Sequence, residues 1–586
     1  MRVRIPVLLF TLFCLNIPLL SQSASRSKSE KSLADKIREN LEAAASESAR
    51  LEIPENRAFL YFRIADLLWD FDEERARSLI EESRSALSRL ISAPDYKHTN
   101  SRFGFHHQQL RTEVVEALAL RDPQLALEFI RGTRPAAPPG DVAKQVADAE
   151  TALEQQLALK IAENDPARAM RLAEESLDKG ISYNLGRFIE IVAAKDPEAA
   201  KKLTGKIFNK LKETDLLKDR SAAGFLIWFL EEEFRARRQE MTPGEKIYDM
   251  KPRKPALSDQ SLLEWSAFAG ATAISTISAA AQNQGASSDL DILIYHEFGL
   301  LPDIEKISPA VAANVRRIYA EAGQKLSEST RRLVKEQELS RNATVEDFLA
   351  LAEKAQGSER NDYLQKAVYK AVGYDADFER ARNIIDEKIT DQSTRKHIIS
   401  YIEWIYSNYA AKQGKLEEAL ASLARVESED ERARMLGNII ETALKAGNKK
   451  MAAQLLEKSL DAMPPEIETS AQFNAMSKII RGLAEADDER AFELYESLIE
   501  PINQIASAFI RMCRFDPSQY GYATKNEMMV QKGLTVSQAI LAMVEETKSL
   551  ARADFGRAMD LVGRFKQTEL RIYARLNAIQ AVSSKQ

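Results

Sequence analysis

Residues 398–424 have the sequence IISYIEWIYSNYAAKQGKLEEALASLA, and the pattern in this stretch decides the fold. Its first half carries apolar residues at steps of four, three and four, at Ile398, Ile402, Ile405 and Tyr409. That spacing is typical of one face of an α-helix. Gly414 then marks a turn, and a second apolar run follows around Ala419. The stretch therefore predicts two helices joined by a short turn.

The second helix of this pair follows a pattern that recurs along the chain: an alanine lies four residues after a residue that can cap a helix. An Asp or Asn cap accepts hydrogen bonds from free amides of the first turn, and a small alanine lets the preceding helix approach closely. The capped pairs are Asp72 with Ala76, Asp122 with Ala126, Asp165 with Ala169, Asp196 with Ala200, Asp377 with Ala381, Asn448 with Ala452, Asp487 with Ala491 and Asp554 with Ala558. Lys415 with Ala419 keeps the alanine and lacks the cap.

Each pair predicts the second helix of a helical hairpin. Capped helices with alanines also occur in helical proteins without repeats, but the recurrence of helix, turn, cap and alanine favours a repeat array. Strand signals are nearly absent, and no proline lies between Pro309 and Pro464. The predicted fold is all-α, an irregular α-solenoid of stacked antiparallel helix pairs.

The stretch 395–464 resembles tetratricopeptide repeats. Gly414 and Ala419 recur as Gly447 and Ala452 at the glycine and alanine positions of that family, and Pro464 stands where its second helix often ends. The family's tryptophan and tyrosine positions in the first helix are not matched in register, so the array is tetratricopeptide-like. The resemblance implies a superhelical scaffold that binds peptides or partner proteins on its concave side.

The beginning of the chain has the order of a secretory signal. Two arginines within the first four residues precede the apolar run 5–20, and Ser21 and Ser23 fit a cleavage site. We therefore expect a signal peptide over 1–23 and an exported protein, periplasmic or extracellular, with no membrane span once the signal is removed. An uncleaved anchor is the alternative, although the apolar run is short for a span.

The rest of the chain is predicted to form two helical blocks, 24–234 and 259–586, on either side of a basic, proline-containing linker over 235–258. The linker includes Arg253 and Lys254, a possible contact for an acidic partner; a solvated linker is the alternative. The whole chain has 82 basic and 88 acidic residues, a formal charge of −6, which argues against nucleic acid as a partner.

Signals for chemistry are few. Phosphate-loop, dinucleotide-binding and nucleophile-elbow motifs are absent. His296 and Glu297 begin like a zinc-protease helix, but Leu300 stands where the second histidine is required. Runs of acidic residues such as 231–233 are interpreted as solvated faces. We therefore predict no catalytic residue, no metal site and no cofactor.

One aromatic concentration remains, on the helix that opens this section. Tyr401 and Trp404 form a second stripe beside the apolar face, and they either pack between neighbouring helices or provide a platform for a ligand. The favoured function is a non-enzymatic scaffold that binds an unknown protein or peptide in the cell envelope. An α/α-toroid enzyme acting on an extracellular polymer such as a polysaccharide is the alternative, and a structural or assembly role in an envelope complex is a third.

Overall fold

The computed structural model describes residues 18–92, 102–136, 141–238, 254–282, 288–373, 377–447, 449–462, 467–515, 526–530 and 535–583. Over these ranges the chain is mostly helical and contains no β-strand. The helices are α1 (Pro18–Ser48), α2 (Pro54–Leu68), α3 (Glu73–Ile91), α4 (Arg102–Arg121), α5 (Pro123–Gly132), α6 (Asp141–Ile161), α7 (Pro166–Leu177), α8 (Tyr183–Lys195), α9 (Pro197–Glu213), α10 (Arg220–Arg238), α11 (Asp259–Gln282), α12 (Ser288–Ile307), α13 (Pro309–Ala322), α14 (Glu328–Asn342), α15 (Val345–Lys354), α16 (Gly357–Gly373), α17 (Phe378–Lys388), α18 (Gln392–Lys412), α19 (Leu416–Ala424), α20 (Glu429–Lys445), α21 (Lys449–Ala462), α22 (Ser470–Ala486), α23 (Asp488–Phe515), α24 (Thr535–Glu545), α25 (Thr547–Ala553), α26 (Phe555–Val562) and α27 (Thr568–Ser583).

The contacts between helices divide the chain into two compact units. Unit one combines residues 1–90 with 483–586, and unit two is residues 91–482. These boundaries differ from those of the two helical blocks predicted from the sequence. The division into those blocks stays a prediction, which limited proteolysis can test. The predicted signal peptide, 1–23, lies mostly outside the described residues.

Unit two is built from helix pairs that pack in chain order. Helix α4 contacts α5 and α6, α6 contacts α7 and α8, and α8 contacts α9 and α10. The same sequence of contacts joins α16 to α17 and α18, and α18 to α19 and α20. Short connections make the helices of a pair antiparallel. This arrangement confirms the predicted all-α solenoid of stacked helix pairs.

Unit one joins the two ends of the chain. Helix α27 packs against α1 and α2 and against α24, α25 and α26, while α23 packs against α24 and α25. The extended segment 526–530 lies in the same unit, with Met528, Met529 and Val530 buried. Residues from opposite ends of the sequence therefore share one core.

The structure confirms the cap-and-alanine pattern. Asp72, Asp122, Asp165, Asp196, Asp377, Asp487 and Asp554 each accept a hydrogen bond from an amide of the first helical turn. The alanine four residues later is buried in every case, including Ala419 and Ala452, which are 0% and 2% exposed. Lys415 makes no side-chain cap, as expected, and Asn448 lies outside the described residues. The small residue is thus where helices meet.

Replacing Ala419 by leucine is expected to lower the free energy of unfolding by about 1–3 kcal/mol, because extra methylenes cannot fit at a closed helix crossing. Ala421→Leu is the matched control, since Ala421 is exposed on the same helix. The urea midpoint, followed by helical circular dichroism, measures both effects. Equal midpoints for the two variants would mean that the crossing at Ala419 is not tightly packed.

Both ends of the predicted linker are tied to the helices. Residues 235–238 belong to α10, and 239–253 lie outside the described residues. The Glu233 carboxylate accepts from the amides of Ala256 and Leu257 at 2.7 and 3.0 Å, and Arg237 pairs with Asp259 at 2.6 Å. The interpretation of residues 231–233 as a solvated face is wrong for Glu232 and Glu233, which are buried because they serve these contacts and neighbouring ones.

Candidate functional site

Three aromatic side chains line up on the surface of two neighbouring helices in unit two. Tyr401 and Trp404 of α18 are 44% and 38% exposed, and their ring centroids lie 6.4 Å apart. Tyr369 of α16 contacts Tyr401 edge-on, with centroids 5.0 Å apart. We call Tyr369, Tyr401 and Trp404 the aromatic strip. Its rings bring apolar area to a surface where a ligand can reach it.

Helix α18 presents the aromatic strip because its other sides are occupied. Ile398 and Ile402 point into the core and are fully buried. Glu403, also buried, accepts a hydrogen bond from Arg382 at 2.6 Å and pairs with Arg425 at 2.9 Å. A helix fixed by an apolar contact on one side and by ion pairs on another holds its third side rigidly outward.

A group of cations lies on the next helices of the unit. Around Glu441 of α20, Lys445 lies at 2.9 Å, Lys478 of α22 at 3.3 Å and Arg481 of α22 at 3.7 Å. Arg434 is exposed on the same face of α20, seven residues before Glu441. We call Arg434, Lys445, Lys478 and Arg481 the cationic cluster. These four cations and the Glu441 carboxylate together carry a formal net charge of +3.

The carboxylate within this cluster stays ionised. Burial raises the pKa of Glu441, but the hydrogen bonds and charges of Lys445 and Lys478 outweigh burial and lower the pKa overall. The concentration of Lys445, Lys478 and Arg481 around this carboxylate favours the binding of a further anion.

A hydrogen bond joins α18, which carries part of the aromatic strip, to α20, which carries part of the cationic cluster. Asn408, one turn after Trp404, donates to the Trp404 carbonyl at 2.7 Å and accepts from the Thr442 hydroxyl at 3.2 Å. Thr442 directly follows Glu441 in α20. The strip and the cluster therefore lie on adjoining helices, and together we call them the aromatic–cationic face.

Of the two candidate residues from the linker, the structure describes only Lys254. Arg253 lies outside the described residues, and Lys254 is exposed. No ion pair, hydrogen bond or ring contact joins Lys254 to Tyr401 or Trp404 among the residues that the structure describes. Sequence reasoning missed Tyr369 and the cationic cluster, because only the stacking of α16, α18, α20 and α22 gathers them.

A buried acid lies elsewhere in unit two. Glu297, beside His296, accepts a hydrogen bond from the Thr276 hydroxyl at 3.0 Å, and burial raises the pKa of Glu297 to about 8.

Within the described ranges, no three His, Cys, Asp or Glu side chains are placed to hold a metal ion. In the same ranges, every helix is too short or too polar to cross a membrane.

Comparisons with known proteins identify no family for this chain. No family model matches the chain, and no curated protein is similar to it. A circular tandem repeat protein with a novel repeat topology and enhanced subunit contact surfaces is 15% identical, covering 94% of this chain and 99% of its own, with a TM-score of 0.20. A chain from a homology model of the full-length AP-3 complex in an intermediate open conformation is 10% identical, covering 97% and 94%, with a TM-score of 0.26. Both TM-scores are low, so the assignment to helical repeats rests on the chain's own helices and their contacts.

Proposed function

We propose that the chain is an exported, tetratricopeptide-like scaffold without enzymatic activity, which binds a peptide or protein partner in the cell envelope. The observation that carries this proposal is the aromatic–cationic face. Export is supported by the signal-like order of residues 1–23. The tetratricopeptide likeness is supported by Gly414 and Gly447, which end their helices with φ of 74° and 71°, a conformation that favours glycine.

The chemistry of the face selects its ligand. The rings of Tyr401 and Trp404 gain from covering apolar or aromatic side chains. The Tyr401 hydroxyl can also donate or accept a hydrogen bond, and the Trp404 indole N–H can donate one. The cationic cluster gains from carboxylates, which form charge-assisted hydrogen bonds with Arg and Lys. The face therefore suits a peptide in which aromatic residues adjoin acidic ones.

Binding to two pools of labelled peptides tests this proposal. Both pools carry two aromatic residues, followed by three acidic residues in one pool and three lysines in the other. We expect fluorescence anisotropy to show binding of the acidic pool only, weaker at high salt. The variants Tyr401→Ala with Trp404→Ala, and Arg434→Glu with Lys445→Glu, are each expected to weaken binding about tenfold, roughly 1.4 kcal/mol.

Leu263→Ala is the matched control, because Leu263 is as exposed as Trp404, at 38%. Equal binding of the two pools, or of the parent and both double variants, would refute a peptide site on this face. Cell fractionation tests export separately. A mature chain that begins at Ala24 in the periplasm or the medium supports export, and a full-length chain in the cytoplasm contradicts it.

A further inference from the structure

A groove elsewhere in unit two is a second surface with the features of a binding site. It has a volume of about 830 Å³ and lies between the start of α8, the start and middle of α10 with the two leucines before it, the end of α11 and the first half of α12. Most of its lining is apolar or aromatic. Tyr183, Leu217 and Ile292 remain 49%, 38% and 52% exposed there. Natural ligand pockets have volumes of about 300–1,000 Å³ and linings of this kind.

Two glycines shape the wall of the groove. A β-carbon on Gly186 of α8 would lie 2.2 Å from the Trp228 ring, and one on Gly224 of α10 would lie 2.4 Å from the Tyr183 hydroxyl. Each helix therefore makes room for the aromatic ring of the other, and the two rings meet edge to face with centroids 5.7 Å apart. Packing of this kind fixes the rings, so the groove is preformed.

Charge marks the two ends of the groove. Arg220 and Glu231 both line it and both belong to α10. They are eleven residues apart, which is about three turns and roughly 16 Å along the helix, and they fall on the same helix face. Between them that face carries only apolar and aromatic residues to the groove, namely Ala223, Gly224, Ile227 and Trp228.

We propose that this groove binds one amphipathic α-helix of about three turns from a partner protein. An acidic residue of that helix lies at Arg220, a basic residue lies at Glu231, and apolar side chains between them cover Tyr183 and Ile292. Opposite charges at the two ends argue for a helix rather than a fatty acid. A single-headed amphiphile has one charged end and one hydrocarbon end, so in either orientation its hydrocarbon end would meet a charged side chain, Glu231 or Arg220. The groove is separate from the aromatic–cationic face, so the two proposals stand or fall independently.

Three synthetic twelve-residue peptides test the groove. All have leucine at positions 4, 5 and 8 and the same i,i+4 cross-link on the opposite face, which holds them helical. Their first and last residues are Glu and Lys, Glu and Glu, or Lys and Lys. Because a helix can lie in either direction, the Glu–Lys peptide always finds a complementary orientation, whereas the other two cannot. We expect the Glu–Lys peptide to bind at least about tenfold more tightly than either of the others.

Single charge reversals then change the preference in a defined way. Arg220→Glu makes both ends of the groove acidic, so the Lys–Lys peptide is expected to become the tightest binder. Glu231→Arg makes both ends of the groove basic, so the Glu–Glu peptide is expected to be the tightest binder of that variant. Ile292→Asp is expected to weaken all three peptides, and Leu263→Ala is expected to change none of them.

Three results would overturn the proposal. The first is that no peptide binds the parent protein with a Kd below about 1 mM. The second is that all three peptides bind equally whichever charge is reversed. The third is that dodecanoate binds in a manner sensitive to Ile292→Asp while the peptides do not bind, which would make the groove a site for a single-headed amphiphile.

Discussion

Replacing Arg111 by methionine is expected to lower the free energy of unfolding by about 3–5 kcal/mol, the cost of leaving a buried charge without its partner. The Arg111 side chain is fully buried, and that of Glu150 is 3% exposed. The guanidinium donates to both Glu150 oxygens, one of them at 2.8 Å, and also to the Thr133 hydroxyl at 3.0 Å and the Ile130 carbonyl at 2.9 Å. Methionine replaces none of these donors.

The double variant Arg111→Met with Glu150→Leu separates this cause from a loss of packing. It removes both charges, so we expect it to recover a large part of the lost stability. Arg134 lies 3.8 Å from Glu150 but is 57% exposed, and it cannot replace a bidentate partner. Urea midpoints measure all three proteins. A single variant as stable as the parent, or a double variant less stable than the single, would contradict the assignment.

The sequence predicted the fold well where the signal is local. A cap and its alanine act within one helical turn, so Asp165 with Ala169 can be recognised without knowing what packs against them. The pair of Arg111 and Glu150 could not be recognised, because the two residues are 39 positions apart and each resembles a surface charge in its own helix. The aromatic strip shows the same limit, since Tyr401 was visible on one helix and Tyr369 joins it only by stacking.

Unit one contains a second buried polar arrangement, and it joins the two ends of the chain. The Glu527 carboxylate accepts from the amides of Glu52 and Ile53 at 2.6 and 3.2 Å and from the Asn56 side chain at 2.7 Å. Asn56 also donates to the Met528 carbonyl at 2.7 Å and accepts from the Val530 amide at 2.9 Å. The extended segment 526–530 is thus held through its backbone.

Glu569 completes this arrangement and makes its stability depend on pH. It is 1% exposed and accepts from the Met528 amide at 3.0 Å. Burial raises its pKa to about 8, with a further contribution from the charge of Glu527, while hydrogen bonds from backbone amides oppose the rise. In the unfolded chain the carboxyl has its ordinary pKa near 4.5. The folded state therefore binds the proton more tightly than the unfolded state does.

The stability of unit one is consequently expected to fall as the pH rises from about 5 to about 8, by up to about 1.4 kcal/mol per pH unit from Glu569 alone. Below that window both states hold the proton and no penalty exists; above it the full penalty is present.

Glu569→Gln keeps an acceptor for the Met528 amide and cannot ionise, but it places an extra NH₂ donor in the core, at a cost of about 1–3 kcal/mol. The variant should be less stable than the parent at pH 5 and more stable at pH 9. Hydrogen exchange at the amides of Met528 and Val530 measures the stability of the region around Glu569. This local measurement separates the titration of Glu569 from the similar titration of Glu297 in unit two. Two curves of stability against pH that run parallel, without crossing, would mean that Glu569 is ionised in the folded protein at pH 7.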